Sequence, residues 1–106
     1  MQGSYEPWVE EQRTYYREQY LRLLEALAGV AQTSEDWPKA MQLAQLIIRE
    51  DQFREDIHCV LIKAHAAMGN RGAAKEHYEG LKRLLENELG VEPSLETRKL
   101  YQQLIG

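Results

Sequence analysis

The sequence has 106 residues, of which 43% are hydrophobic and 28% are charged, and its formal net charge is −4. This length leaves room for one domain with a single core. No apolar run is long enough to cross a bilayer. No basic cluster could neutralise several DNA phosphates, so we do not expect this segment to bind nucleic acid directly. The lone Cys59 excludes an internal disulfide and favours a reducing, cytoplasmic location.

The chain begins with residues 1–5, which lack periodicity and which we expect to be disordered or to derive from cloning. The domain is therefore placed at residues 6–106. A first helix is predicted from about Trp8, with Pro7 in its first turn, to about Gln32. Its apolar positions are Tyr16, Tyr20, Leu23, Leu24, Leu27 and Ala31. Its tyrosine-rich N-terminal half either packs on something outside this sequence or forms the end of the core.

Four further helices are predicted from the spacing of apolar residues and from the residues that cap each helix. They lie at about residues 37–50, 54–68, 71–89 and 94–105. Asp36 and Ser94 can cap helix N-termini, while Gly69 and Gly90 can adopt the positive φ that ends a helix. The side chains predicted to face the core are Ala40, Leu43, Ala44 and Ile47, then Ile57, Val60, Leu61, Ala64 and Met68, then Ala74, Tyr78, Leu81, Leu85 and Leu89, and last Leu95, Leu100, Tyr101 and Leu104. No segment alternates as a strand would, so the predicted fold class is all-α.

An internal repeat relates the second helix to the fourth. Residues 40–47 align with residues 74–81 at a spacing of 34, which is the tetratricopeptide length. Ala40 and Ala74 fall where the two helices of a hairpin would cross closely. The consensus is degraded in the first unit. We therefore predict a tetratricopeptide-like array of two hairpins, with the fifth helix as its cap.

The sequence contains no recognisable arrangement for catalysis or metal binding. His58 and His65 are seven residues apart, which is not the four-residue spacing of a helical zinc pair, and no glutamate accompanies them as a general base. His77 on the fourth helix could approach them. We predict no catalytic, cofactor-binding or metal-binding residue, and no enzymatic activity.

A motif that runs from the end of the fourth helix into the fifth carries a family resemblance. Residues 88–95 read Glu-Leu-Gly-Val-Glu-Pro-Ser-Leu, and Trp8 and Arg13 match a Trp-x-x-x-x-Arg opening. Over roughly residues 5–105, the chain resembles the bacterial transcriptional activator domain (BTAD) of the antibiotic-regulatory-protein (SARP) class of bacterial regulators. The resemblance implies that a winged-helix DNA-binding domain precedes this segment in a longer protein. It also implies that this segment supports activation by oligomerising or by contacting the transcription machinery.

Two protein-binding surfaces are predicted. Stacked hairpins curve, and the first helix of each hairpin lines the concave side. The candidate protein-binding residues on that concave side are Arg22, Glu25, Gln32, Asp56, Cys59 and Lys63. The alternative is that this side is only a solvated face. Trp8, Arg13 and Tyr16 are the candidate contact to the preceding domain or to a second copy.

Three classes of function follow from these observations. We expect a protein-interaction or oligomerisation domain of a SARP-like transcriptional regulator, with DNA bound only through the domain outside this sequence. The first alternative is a free-standing tetratricopeptide-like adaptor that binds peptides and has no role in transcription. The second is a sensor module of an enzyme, which a neighbouring nucleotide-binding or cyclase domain would favour. A winged helix before Trp8 in the native protein would favour the regulator.

Overall fold

The computed structural model describes residues 7–106 and contains five α-helices in this part of the chain. They are α1 (Pro7–Thr33), α2 (Trp37–Glu50), α3 (Glu55–Ala67), α4 (Arg71–Leu89) and α5 (Leu95–Leu104). No strand occurs in the described residues. The predicted all-α class is therefore confirmed, and the predicted helix boundaries differ from the observed ones by single residues. The prediction for residues 1–5 lies outside the described part of the chain.

Asp36, Ser94, Gly69 and Gly90 form helix ends as the sequence indicated, and Asn70 is a further cap that the sequence analysis did not identify. Asp36, Asn70 and Ser94 each accept a hydrogen bond from the backbone N–H three residues on, at 3.2–3.3 Å, which satisfies one free donor at the start of α2, α4 and α5. Gly69 and Gly90 have φ values of 78° and 65°, and they end α3 and α4 in the left-handed conformation. Local sequence thus determines where α2, α4 and α5 begin and where α3 and α4 end.

The helices pack as consecutive hairpins around one core. α1 packs against α2, α2 against α3, α3 against α4, and α5 lies against α3. The buried apolar residues are Leu24, Ala28, Ala31, Ala40, Ala44, Ile47, Ile57, Val60, Leu61, Ile62, Ala64, Ala74, Leu81 and Leu85. Ala40, Ala44 and Ala74 are completely buried, because small side chains allow neighbouring helices to approach closely. No helix among residues 7–106 is long and apolar enough to cross a membrane.

Three residues that the spacing assigned to the core are exposed instead. Met68 is the residue that follows α3, Leu89 is the last residue of α4, and Leu95 is the first residue of α5, and each is 44–57% exposed. Each lies at the end of its helix, where the neighbouring helix no longer covers it. The prediction was wrong for these three positions. Helical periodicity identifies which face of a helix is apolar, but it does not show how far along the helix a neighbouring helix packs against that face.

Helix α5 is attached to the second hairpin by hydrogen bonds and by a pair of stacked aromatic rings. The Glu55 carboxylate at the start of α3 accepts a hydrogen bond from the Ser94 backbone N–H at 2.7 Å and another from the Thr97 hydroxyl. Burial alone would raise the pKa of Glu55, but these hydrogen bonds outweigh burial and hold the pKa below its ordinary value. The rings of Tyr78 and Tyr101 stack with centroids 4.0 Å apart. Ser94 and Thr97 therefore join the start of α5 to α3, and Tyr101 joins α5 to α4.

Candidate protein-interaction surfaces

Helix α1 carries a long apolar stripe that nothing in the described residues covers. Tyr16, Tyr20, Leu23, Leu27 and Val30 recur at alternating steps of four and three, which places them along one line of a helix. Each of the five residues is 43–65% exposed. We call this set the α1 apolar face. Alternating steps of four and three residues are typical of a helix that packs lengthwise against another helix.

A second apolar side of α1 is buried in the core. Leu24, Ala28 and Ala31 are buried, and Leu24 and Ala31 belong to the core cluster that α2 completes. The sequence placed Leu23 and Leu27 in one apolar set with Leu24, but the structure separates them onto two neighbouring sides of the helix. A surface helix normally has one apolar stripe, whereas α1 has two neighbouring ones, of which one is buried and the other is exposed.

A groove continues the α1 apolar face onto α2. Its volume is about 420 Å³. The residues that line it are Leu27, Val30, Ala31, Ser34, Asp36, Lys39, Gln42 and Leu43. The exposed surface is therefore not limited to one row of side chains, because α2 contributes a second wall.

The N-terminal part of α1 projects beyond the first hairpin. Arg17 donates hydrogen bonds to the carboxylate of Glu50 at 3.0 Å and to its backbone carbonyl at 2.6 Å, so α2 ends beside Arg17. The preceding residues of α1 extend past this point by about 15 Å, at 1.5 Å per residue. The predicted contact residues Trp8, Arg13 and Tyr16 all lie on this projection and are exposed. Tyr16 is also a member of the α1 apolar face.

The predicted concave side is partly organised by an arginine that the sequence analysis missed. Arg54, the residue before α3, forms ion pairs with Glu25 at 2.7 Å and with Asp56 at 3.0 Å. The hydrogen bonds to Asp56 and Glu25 raise the pKa of Arg54, and the hydrogen bond from Arg54 lowers the pKa of Asp56. The structure thus brings Glu25 and Asp56 together through a common partner, while Arg22 remains exposed.

The other three predicted residues of that side have different surroundings. The Gln32 amide donates to the Ala28 carbonyl within α1 at 3.4 Å. The Cys59 sulfur lies 3.3 Å from the Thr97 hydroxyl oxygen, so Cys59 faces α5 and burial raises the pKa of its thiol. Lys63 makes no ion pair among residues 7–106. The six residues are therefore not one uniform surface.

The three histidines lie close together at the contact between α3 and α4. The Nδ1 of His58 is 2.8 Å from the Nε2 of His77, and the rings of His65 and His77 have centroids 6.5 Å apart. Burial, followed by the proximity of His58 and His65, lowers the pKa of His77 to about 4. Among the described residues, no group of three or more His, Cys, Asp or Glu side chains could hold a metal ion. This cluster acts in packing between α3 and α4.

Fold and surface together define an all-α array of helical hairpins with an uncovered apolar face. The sequence model of the bacterial transcriptional activator domain family matches residues 1–105, which is nearly the whole chain. The chain therefore belongs to that family, and the resemblance carried by residues 88–95 is confirmed. Comparison of this chain with the curated proteins and with the solved structures gave no match. The family is one of transcriptional regulators and is not an enzyme family.

Proposed function

We propose that this chain is the protein-interaction and oligomerisation domain of a SARP-like transcriptional regulator, whose winged-helix DNA-binding domain lies outside this sequence. The family gives the role in transcription. The absence of a basic cluster in the sequence argues that another domain contacts DNA. In this proposal the protein acts in the cytoplasm, and its two hairpins with the 34-residue repeat form a tetratricopeptide-like array.

The observation that carries this proposal is the α1 apolar face. Five large side chains at alternating four- and three-residue steps remain exposed, although the other apolar side of the same helix is buried. At about 25 cal/mol per Å², each ~100 Å² of apolar surface that a partner covers contributes about 2.5 kcal/mol before the costs of association. A surface of this kind favours a packed protein partner. The partner is the preceding domain, a second copy or the transcription machinery.

The projection of α1 extends this surface toward the N-terminus. Trp8, Arg13 and Tyr16 are proposed to contact the preceding domain or a second copy, because they stand beyond the end of α2. Large aromatic residues and arginine are the side chains most often found at the centre of protein interfaces. Their exposure in this domain is then a consequence of the partner lying outside the sequence.

The proposal is tested in the full-length regulator with charged substitutions in the α1 apolar face. Leu23→Glu with Leu27→Glu is expected to reduce transcription from the regulated promoter at least about tenfold, a loss typical of central interface residues. The matched control is Leu89→Glu with Leu95→Glu, since these leucines are similarly exposed but lie elsewhere. Circular dichroism verifies that helicity is retained. Activation unchanged by the α1 substitutions would contradict the proposal.

The alternative function is a free-standing peptide-binding adaptor. It is favoured by the concave side, where Arg22 is exposed and Lys63 makes no ion pair among the described residues. The intact mass of the native polypeptide separates the two functions. A chain longer by a DNA-binding domain, about 100 residues, supports the regulator. A native mass of 12.4 kDa would favour the adaptor.

A further inference from the structure

A second pocket lies where the ends of α2, α3, α4 and α5 meet, and none of its lining residues belongs to α1. Its volume is about 350 Å³. Trp37 at the start of α2, Ala66 and Ala67 near the end of α3, and Leu104 at the end of α5 form its apolar floor. We call it the four-helix pocket. It shares no lining residue with the groove between α1 and α2.

The charge in this pocket has one sign. Lys63 and Arg71 line it and no acidic residue does, although the chain as a whole has a net charge of −4. Among residues 7–106, neither cation forms an ion pair. Asp36 directly precedes the lining residue Trp37, but its carboxylate accepts the hydrogen bond that caps α2. Two cations beside an apolar floor are complementary to an anion that carries an apolar group.

Arg71 is exposed, and one hydrogen bond orients its side chain in the absence of a ligand. One terminal nitrogen of its guanidinium donates to the Ile105 carbonyl at 2.8 Å, which holds the side chain between α4 and the end of α5. An arginine has five N–H donors, so several remain free for a carboxylate. Lys63 adds a mobile point charge on the α3 wall. A preorganised arginine reduces the entropy lost on binding.

We propose that the four-helix pocket binds a peptide segment of a partner protein in which an aliphatic side chain stands next to a carboxylate. The aliphatic group packs against Trp37 and Leu104, and the carboxylate pairs with Lys63 and Arg71. Two cations are too few for a nucleic-acid backbone, whose binding uses many phosphate contacts. The inference rests on the proposed function only in requiring a protein partner, and it concerns a different surface.

Trp37 provides a direct measurement. The chain has two tryptophans, so Trp8→Phe leaves Trp37 as the only one, and it lines the pocket. The probe is an acetylated and amidated octapeptide of alternating leucine and aspartate, titrated at low salt. We expect a saturable change in tryptophan fluorescence. We also expect weaker binding as salt is added, because exposed charges are screened.

Substitutions test whether the pocket is the site. Lys63→Glu with Arg71→Glu is expected to weaken binding at least about tenfold. Lys82→Glu with Arg83→Glu makes the same charge change on the exposed side of α4, outside the pocket, and is expected to change affinity less than about twofold. Equal losses in the two variants would overturn the proposal, because they would show an effect of net charge alone.

Two altered probes separate the components of recognition. Asparagine in place of aspartate removes the charge, and serine in place of leucine removes the apolar group, so each probe is expected to bind at least about tenfold more weakly. Equal binding of either probe, or no saturable binding of the original peptide up to about 1 mM, would overturn the proposal. Such a failure leaves the α1 apolar face untouched, because activation with Leu23→Glu and Leu27→Glu is measured independently.

Discussion

The imidazole rings of His58 and His77 share a hydrogen bond of 2.8 Å that joins α3 to α4. The Nε2 of His58 lies 2.8 Å from the Gln52 carbonyl oxygen, which can only accept, so this nitrogen carries the proton. With one proton on each ring, the Nδ1 of His58 accepts and His77 donates to it from Nε2. The tautomers of both rings then follow from one backbone carbonyl. The hydrogen bond needs one donor and one acceptor, so it cannot form when both rings carry two protons.

The first prediction concerns acid stability. The folded pKa of His77 is about 4, below the ordinary 6.5. The unfolded chain therefore binds the proton more readily, so the stability from His77 is complete above pH 6.5 and is lost as the pH falls toward 4. We expect a loss of about 1–2 kcal/mol, discounted because the ring is partly exposed. Urea unfolding across this pH range measures it.

The control for this prediction is His77→Gln, which retains a donor but cannot titrate. Its free energy of unfolding is expected to vary less between pH 6.5 and 4 than that of the unaltered chain. Glu55 and Asp56 have lowered pKa values, so their stabilisation is lost at the acid end in both proteins. An identical pH dependence in the variant would show that protonation of His77 does not contribute to the loss of stability.

The second prediction concerns Thr97, which is 2% exposed and donates to Glu55. Thr97→Val keeps the shape but leaves the Glu55 carboxylate with one donor fewer in a partly buried place. We expect a loss of about 1–3 kcal/mol in the free energy of unfolding, and faster hydrogen exchange in α5. Thr14→Val on the exposed surface of α1 is the control, with a change within about 0.5 kcal/mol.

The third prediction compares two glycines with opposite expectations. Gly90 has a φ of 65°, and Gly80 lies inside α4, where no atom would meet an added Cβ within 4 Å. Gly90→Ala should cost about 1 kcal/mol because a side chain strains the left-handed conformation. Gly80→Ala should add about 0.5–1 kcal/mol by stiffening the unfolded chain and favouring the helix. Thermal unfolding gives both signs, and equal signs would contradict the account of the helix end.

The fourth prediction tests the close helix crossing. Ala74 is completely buried in α4. Ala74→Trp has no space for the added volume and is expected to lower the free energy of unfolding by about 3 kcal/mol or more. Ala26→Trp, at an exposed position of α1, is the control. An unchanged melting temperature for Ala74→Trp would mean that the helices of the second hairpin do not cross at this position.

Local patterns determined much of what could be predicted. Capping by Asp36 and Ser94, and the left-handed Gly69 and Gly90, follow from backbone chemistry within a few residues. The family was predictable for the same reason, because residues 88–95 form one continuous motif that runs from the end of α4 to the first residue of α5. Short-range chemistry is read directly from sequence.

Contacts between distant residues could not be predicted in this way. Arg54 joins Glu25 to Asp56 across the hairpins, and nothing in the spacing of these residues identifies Arg54 as the common partner. The same holds for the pair of His58 and His77. Periodicity also cannot tell which of two neighbouring apolar sides of α1 will be buried, since that depends on where α2 packs.

The central claim is that another protein surface covers the α1 apolar face. The most direct measurement is hydroxyl-radical footprinting of this chain alone and of the native full-length protein bound to its promoter with the transcription machinery. Tyr16, Leu23 and Leu27 should be oxidised rapidly in the isolated chain and several-fold more slowly in the native assembly, while the exposed Leu95 should be similar in both. Equal oxidation of the α1 residues in the two samples would contradict the account.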